Sequence, residues 1–126
     1  MLASRLQRLP RQEVFGLAFP VAADRRSRLL GLTGLDREAV GEGLLIPRCA
    51  SVHTFGMRFA LDLVFLDREE TPLAVRLAVP PRRIAWERGA AAVLELPAHC
   101  LQSPDCTPSH SCRRAWRRTS TRSIQS

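Results

Sequence analysis

Hydrophobic and polar positions alternate most clearly in HTFGMRFALDLVFLD, residues 53–67. Over residues 58–66, Phe59, Leu61, Leu63 and Phe65 fall on one face of an extended chain. Arg58, Ala60, Asp62, Val64 and Leu66 fall on the other. A period of two predicts a strand with one fully apolar face and one partly apolar face. After the polar DREE (67–70), TPLAVRLAV alternates again, with Leu73, Val75, Leu77 and Val79 in phase and Arg76 opposite. Two alternating runs joined by four polar residues predict a β-hairpin. PPRR (80–83) breaks the ladder, because proline has no N–H to donate and fixes its φ. AAAVLELP (90–97) predicts a further strand ending at Pro97, and EVFGLAF (13–19) and EGLLIP (42–47) predict one strand each, closed by Pro20 and Pro47.

One helix is expected over residues 24–32, with Asp24 as N-cap, Leu29, Leu30 and Leu32 facing inward, and Gly31 or Gly34 as its stop. Several short strands, frequent turn residues and one short helix predict a mainly β fold. Its expected form is a compact antiparallel sandwich or partly closed, jelly-roll-like barrel. From residue 98 the pattern is lost. AHCLQSPDCTPSHSCRRAWRRTSTRSIQS has no period, many Ser, Thr, Pro and Arg, and Trp116 as its one large aromatic. Such a segment buries too little apolar surface to offset roughly 1–2 kcal/mol of backbone entropy per residue. The expected organisation is therefore a single β-rich domain over residues 13–98 and a disordered basic Ser/Pro/Arg tail over 99–126.

Length and charge refine this picture. At 126 residues the chain is one domain of ordinary size, and 45% apolar with 25% charged residues is a globular composition. No apolar run approaches the roughly 20 residues of a membrane span, so no membrane association is expected. The first 20 residues contain no continuous apolar block of the signal-peptide kind, and a cytoplasmic location is expected. All 19 basic residues are arginine, which reads as a GC-rich coding sequence. The net charge of +7 invites a nucleic-acid reading, but its distribution argues against one. Residues 1–97 hold 14 Arg against 11 acidic residues, whereas residues 98–126 hold 5 Arg and only Asp105. The body is thus mildly basic and has no aromatic platform for base stacking. Cys49 stands alone in the body and Cys100, Cys106 and Cys112 lie in the tail; free thiols are expected.

Three blocks, in order, carry a resemblance. RSRLLGLTG (26–34) is an Arg-rich lead into a Gly-Leu pair. In residues 53–67, Phe55, Gly56 and Met57 precede Leu61, Asp62, Phe65, Leu66 and Asp67 at fixed spacing. AVLELPA (92–98) contributes Glu95 and Pro97. In these blocks, covering roughly residues 13–98, the chain resembles domain-of-unknown-function family 192, a group of small bacterial and archaeal proteins. The resemblance implies a single β-rich domain of sandwich or jelly-roll type and brings no activity with it. One departure follows Ala98, where family members continue with a glycine, a helical stretch and a last strand. Here the tail reads as translation in a shifted frame of GC-rich DNA.

Asp62 and Glu95 are the chemical puzzle, since both sit in strands among apolar neighbours. An unpaired buried charge costs several kcal/mol. The structural expectation for Asp62 is a salt bridge to Arg28, Arg48 or Arg58, or acceptance of backbone N–H bonds. For Glu95 it is pairing with an arginine. The functional alternative is two acids meeting in one pocket, at the separations of about 5–9 Å at which carboxyls act as an acid/base pair. His53 could serve as proton shuttle or ligand contact beside them, Thr54 could add a hydroxyl, and Arg58 a cation. Met57 is expected to fill core space. The C-x3-H spacing of Cys49 and His53 and the tail spacings do not match paired zinc knuckles, so no metal and no cofactor are expected. No nucleotide-binding loop, nucleophile elbow or zinc-protease helix motif is present.

These residues lead to an expected binding module without catalysis. It would present His53, Thr54, Met57, Arg58, Asp62 and Glu95 to a small polar ligand or a protein partner. The alternative is a hydrolase using the Asp62/Glu95 pair, testable by geometry: acids on opposite faces cannot act on one bond. A second alternative is weak nucleic-acid binding through the Arg-rich tail.

Overall fold

The computed structural model describes residues 5–14, 17–24, 28, 31–36 and 43–98. A short 3-10 turn (Arg5–Arg8) leads into strands β1 (Arg11–Val14) and β2 (Leu17–Pro20). Then follow β3 (Leu44–Pro47), β4 (Ser51–His53), β5 (Leu61–Leu66), β6 (Pro72–Val79), β7 (Ile84–Trp86) and β8 (Ala92–Pro97). The middle layer is a four-stranded antiparallel sheet in the order β3-β8-β5-β6. β1 and β2 form one hairpin, and β4 pairs with β7 as a separate ribbon. The fold is mainly β and antiparallel, and no barrel closes among the described residues.

The middle sheet has a core on each face. All six residues of β5 are buried. Leu61, Leu63 and Phe65 pack with Leu44, Ile46, Val93 and Val52 in one cluster. Val64 and Leu66 pack with Leu45, Leu94, Leu96, Val14 and Phe19 in the other. The β4–β7 ribbon therefore covers the first face and the β1–β2 hairpin the second. Strands buried on both faces read as near-continuous apolar runs, which is why LDLVFL, LLI and VLEL hardly alternate. The outer edge of β3 is covered in turn, because Val21 bridges Leu45 and the Ala22 N–H donates to the Leu45 carbonyl at 2.9 Å.

Two expectations change. The run 13–19 is not one strand but the turn region of a hairpin, with Val14 facing Leu17 and Gln12 facing Phe19. In a single strand Val14 and Phe19 would point to opposite faces; the hairpin buries both in one cluster. In β6 the expected inner row is broken. Leu73 and Leu77 are 37% and 48% exposed, and Ala74 is the residue that enters the core. Two register shifts against β5 reset the alternation, one of them passing through Ala78 at φ +50°. Strands β4 and β7 escape a periodicity reading because three residues are too few to show a period.

Most of the expected helix over 24–32 lies outside the described residues. Arg28 is helical, its N–H donates to the Asp24 carbonyl at 3.0 Å, and residues 31–34 form a turn. The tail from residue 99, with its three cysteines, also lies outside them. Among the described residues no helix is long and apolar enough to cross a membrane.

Candidate functional site

A small cavity of about 160 Å³ opens on the face of the middle sheet covered by the β4–β7 ribbon. Four polar residues reach it. Glu95 comes from β8, opposite Leu44 of β3 and Leu63 of β5. His53 ends β4, Ser51 begins it, and Arg28 reaches in from its helical turn. Ile46, Val52 and Met57 form an apolar wall continuous with the core. Gly31 leaves the room, since a Cβ there would lie 3.1 Å from Glu95 Oε1. Ser51 is exposed and His53 half-buried, so solvent meets the cavity on the β4 side.

Glu95 is the deepest of these groups, at 1% exposure. Burial pushes its carboxyl up from 4.5 to about 8, against the smaller opposing effect of a backbone hydrogen bond from Leu32. The side chain is therefore protonated and neutral at pH 7. The expected arginine partner is not there: among the described residues no ion pair reaches Glu95. Arg28 instead turns its Nη2 to the Arg48 carbonyl at 3.1 Å. Three buried polar atoms lack a hydrogen-bond partner among the described residues, namely Arg28 Nε, His53 Nδ1 and Glu95 Oε1. All three belong to residues that line this cavity. Buried polar groups are nearly always satisfied, so three together mark an unusual place.

The other expected site residues act elsewhere. Asp62 is buried in β5, opposite Leu96, and so lies on the face of the sheet away from Glu95. The expected Asp62/Glu95 pair is thereby overturned, because strand parity aims the two carboxyls into different cores. Asp62 Oδ1 accepts the N–H of Ala78 at 2.8 Å, at the bulge of β6. This is the backbone acceptance expected as one of its structural roles. Thr54 Oγ1 accepts the Arg83 N–H at 2.8 Å and donates to the Pro80 carbonyl at 2.7 Å. It fastens residues 80–83 and does not line the cavity. Arg58 pairs with Asp36 at 2.8 Å on the exposed surface and is likewise outside the site. Cys49 Sγ donates to the Ser51 carbonyl.

Residues 10–111 match the sequence profile of DUF192, described as "Uncharacterized ACR". The chain belongs to the DUF192 family. The match includes every cavity-lining residue and extends past Ala98 to residue 111. No curated protein matches the chain. Among solved structures, a candidate transcription regulator from Sinorhizobium meliloti 1021 is similar at 25% identity and a TM-score of 0.61, over 68% of this chain and 72% of that one. A protein of unknown function from Novosphingobium aromaticivorans DSM 12444 is similar in fold at 18% identity and a TM-score of 0.57, over 70% of each chain.

In this DUF192 chain the structure brings together His53, Met57 and Glu95 of the six expected site residues and leaves out Thr54, Arg58 and Asp62. It adds Arg28, Gly31, Ile46, Ser51 and Val52. Arg28 carried a signal, standing in the RSRLLGLTG block, but the sequence offered it only as a partner for Asp62. Chemically the cavity combines a fixed cation, a carboxyl that can both donate and accept, and an imidazole. Such a set can hold and orient a polar solute.

Proposed function

We propose that this DUF192 protein is a binding module without catalysis, whose ligand is a small polar molecule seated among Arg28, His53 and Glu95. The observation that carries the reading is that the three residues with unpartnered buried polar atoms, Arg28, His53 and Glu95, all line one cavity. A bound solute would satisfy them, and each hydrogen bond so gained is worth about 1 kcal/mol, more where a charged group takes part. The volume of about 160 Å³ suits a ligand of a few non-hydrogen atoms and is too small to enclose a nucleotide or an oligosaccharide. Among the described residues no second carboxyl lines the cavity, and Asp62 faces the other core, which leaves the Asp62/Glu95 hydrolase without a geometric basis. An effector-binding role is compatible with the description of the Sinorhizobium relative as a candidate transcription regulator.

A thermal-shift screen tests the reading. Small acids, amides, amines and polyols should include at least one compound that raises Tm in a saturable way, while nucleotides and oligosaccharides leave it unchanged. A screen in which no small solute moves Tm counts against the binding role.

A further inference from the structure

We propose that the ligand is a short-chain monocarboxylic acid, held head-first against Glu95 as an acid–carboxylate pair and balanced by the Arg28 guanidinium. This rests on the cavity being a ligand site and names the class of molecule that fits it.

The unpartnered atoms set the hydrogen-bond demands of the cavity. Arg28 Nε can only donate, so its missing partner is an acceptor. Glu95 Oε1 needs either a donor or, with the proton on it, an acceptor. His53 Nδ1 takes either. A carboxyl group meets all of these with two oxygens and at most one proton.

Charge adds a second demand. Arg28 carries one permanent positive charge. A bound carboxyl and Glu95 sharing one proton carry one negative charge between them, as like carboxylates in contact do. The site is then neutral whichever oxygen holds the proton. A phosphate dianion would leave excess negative charge beside a buried carboxyl. An ammonium would leave excess positive charge beside Arg28. A neutral amide balances only if Glu95 ionises, which its burial opposes.

Shape adds a third. The polar end is faced by Ile46, Val52 and Met57, an apolar wall suited to a short alkyl chain. A cavity of this size accommodates on the order of six non-hydrogen atoms, as the benzene-binding cavities of comparable volume do. Acetate, propionate and butyrate fit, and octanoate does not.

Among the lining residues Arg28, His53 and Glu95 are the titratable groups. The carboxylate binds to protonated Glu95 without net proton exchange up to about pH 8, where Glu95 loses its proton. Above that each complex must take up a proton, so affinity for the anion falls about tenfold per pH unit.

Isothermal titration of the full chain with acetate, propionate, butyrate and octanoate, and with propionamide and propylamine, at pH 7 and 9 decides the matter. Propionate and butyrate should bind at pH 7 and about tenfold more weakly at pH 9, and octanoate should not. Glu95→Gln keeps an N–H donor and a neutral side chain, so it should bind propionate with the same affinity at pH 7 and 9. If that variant fails to fold, the wild-type comparison of pH 7 with pH 9 still decides. Carboxylate binding that is unchanged at pH 9 overturns the contact with Glu95. Binding of propionamide or propylamine in place of the acids overturns the ligand class and leaves the binding cavity standing. Silence from all six compounds overturns the carboxylic-acid ligand, and the thermal-shift screen with polyols then decides the binding role.

Discussion

At Glu95 a side chain that is ionised in water is held at 1% exposure, next to a cavity and without an arginine partner among the described residues. Desolvation raises its carboxyl to about 8 from 4.5. The folded protein therefore binds more protons than the unfolded chain between those two values, and stability must fall as pH rises through that window. A shift of this size corresponds to a loss of up to about 5 kcal/mol between pH 4.5 and 8, and no further loss from this group above it. Glu95→Gln cannot ionise and still accepts the Leu32 hydrogen bond through its amide oxygen. Urea midpoints of the variant should be nearly flat from pH 5 to 8.5 where the wild type declines, and the variant should be the more stable at pH 8.5. A wild type whose midpoint does not decline refutes the buried neutral carboxyl. The sequence exposed Glu95 as an anomaly because Leu94 and Leu96 flank it. It could not say that no arginine would come, since that depends on where the Arg28 guanidinium settles.

Among the elements, β5 and β6 show where a one-dimensional pattern holds and where it fails. β5 is legible residue by residue because it keeps a single register along β8, from Leu61↔Pro97 to Leu66↔Ala92. β6 is an edge strand with two register shifts, and each shift reverses which side chains face the core. Asp62 stabilises the irregularity by accepting the Ala78 N–H at 2.8 Å. Ala78 stands at φ +50°, in a region costly for a residue with a Cβ. Asp62→Ala should take the charged acceptor from that N–H and lower stability by about 1–3 kcal/mol. Asp62→Asn keeps an acceptor oxygen and should cost clearly less. Chemical denaturation of the pair measures the difference, and equal losses would show that the bond to Ala78 is not what Asp62 supplies.

For the molecule as a whole, the decisive feature is a sheet shared by two cores. Phe19 lies on one side and Leu63 on the other, both fully buried, with β5 and β8 contributing to each cluster. Unfolding one core removes the surface on which the other rests, so the two should melt together. Phe19→Ala should cost about 3–5 kcal/mol. Methyl resonances of Leu45 and Leu63, one from each cluster, should still disappear at the same urea concentration in that variant. Separate transitions would show that the hairpin layer folds independently of the rest.

By itself the sequence determined the mainly β character, the placement of β3, β5 and β8, the resemblance to DUF192, and the fact that two acids stand where apolar residues belong. Those features are local: they follow from period, proline and the identity of immediate neighbours. Tertiary structure alone decided that the two acids face opposite cores, that the run at 13–19 folds back on itself, and that Arg28, His53 and Glu95 share one cavity. Each of these depends on register and layer stacking between segments far apart in the chain. A shift of one residue in register reverses every side chain of a strand, and no local pattern records it.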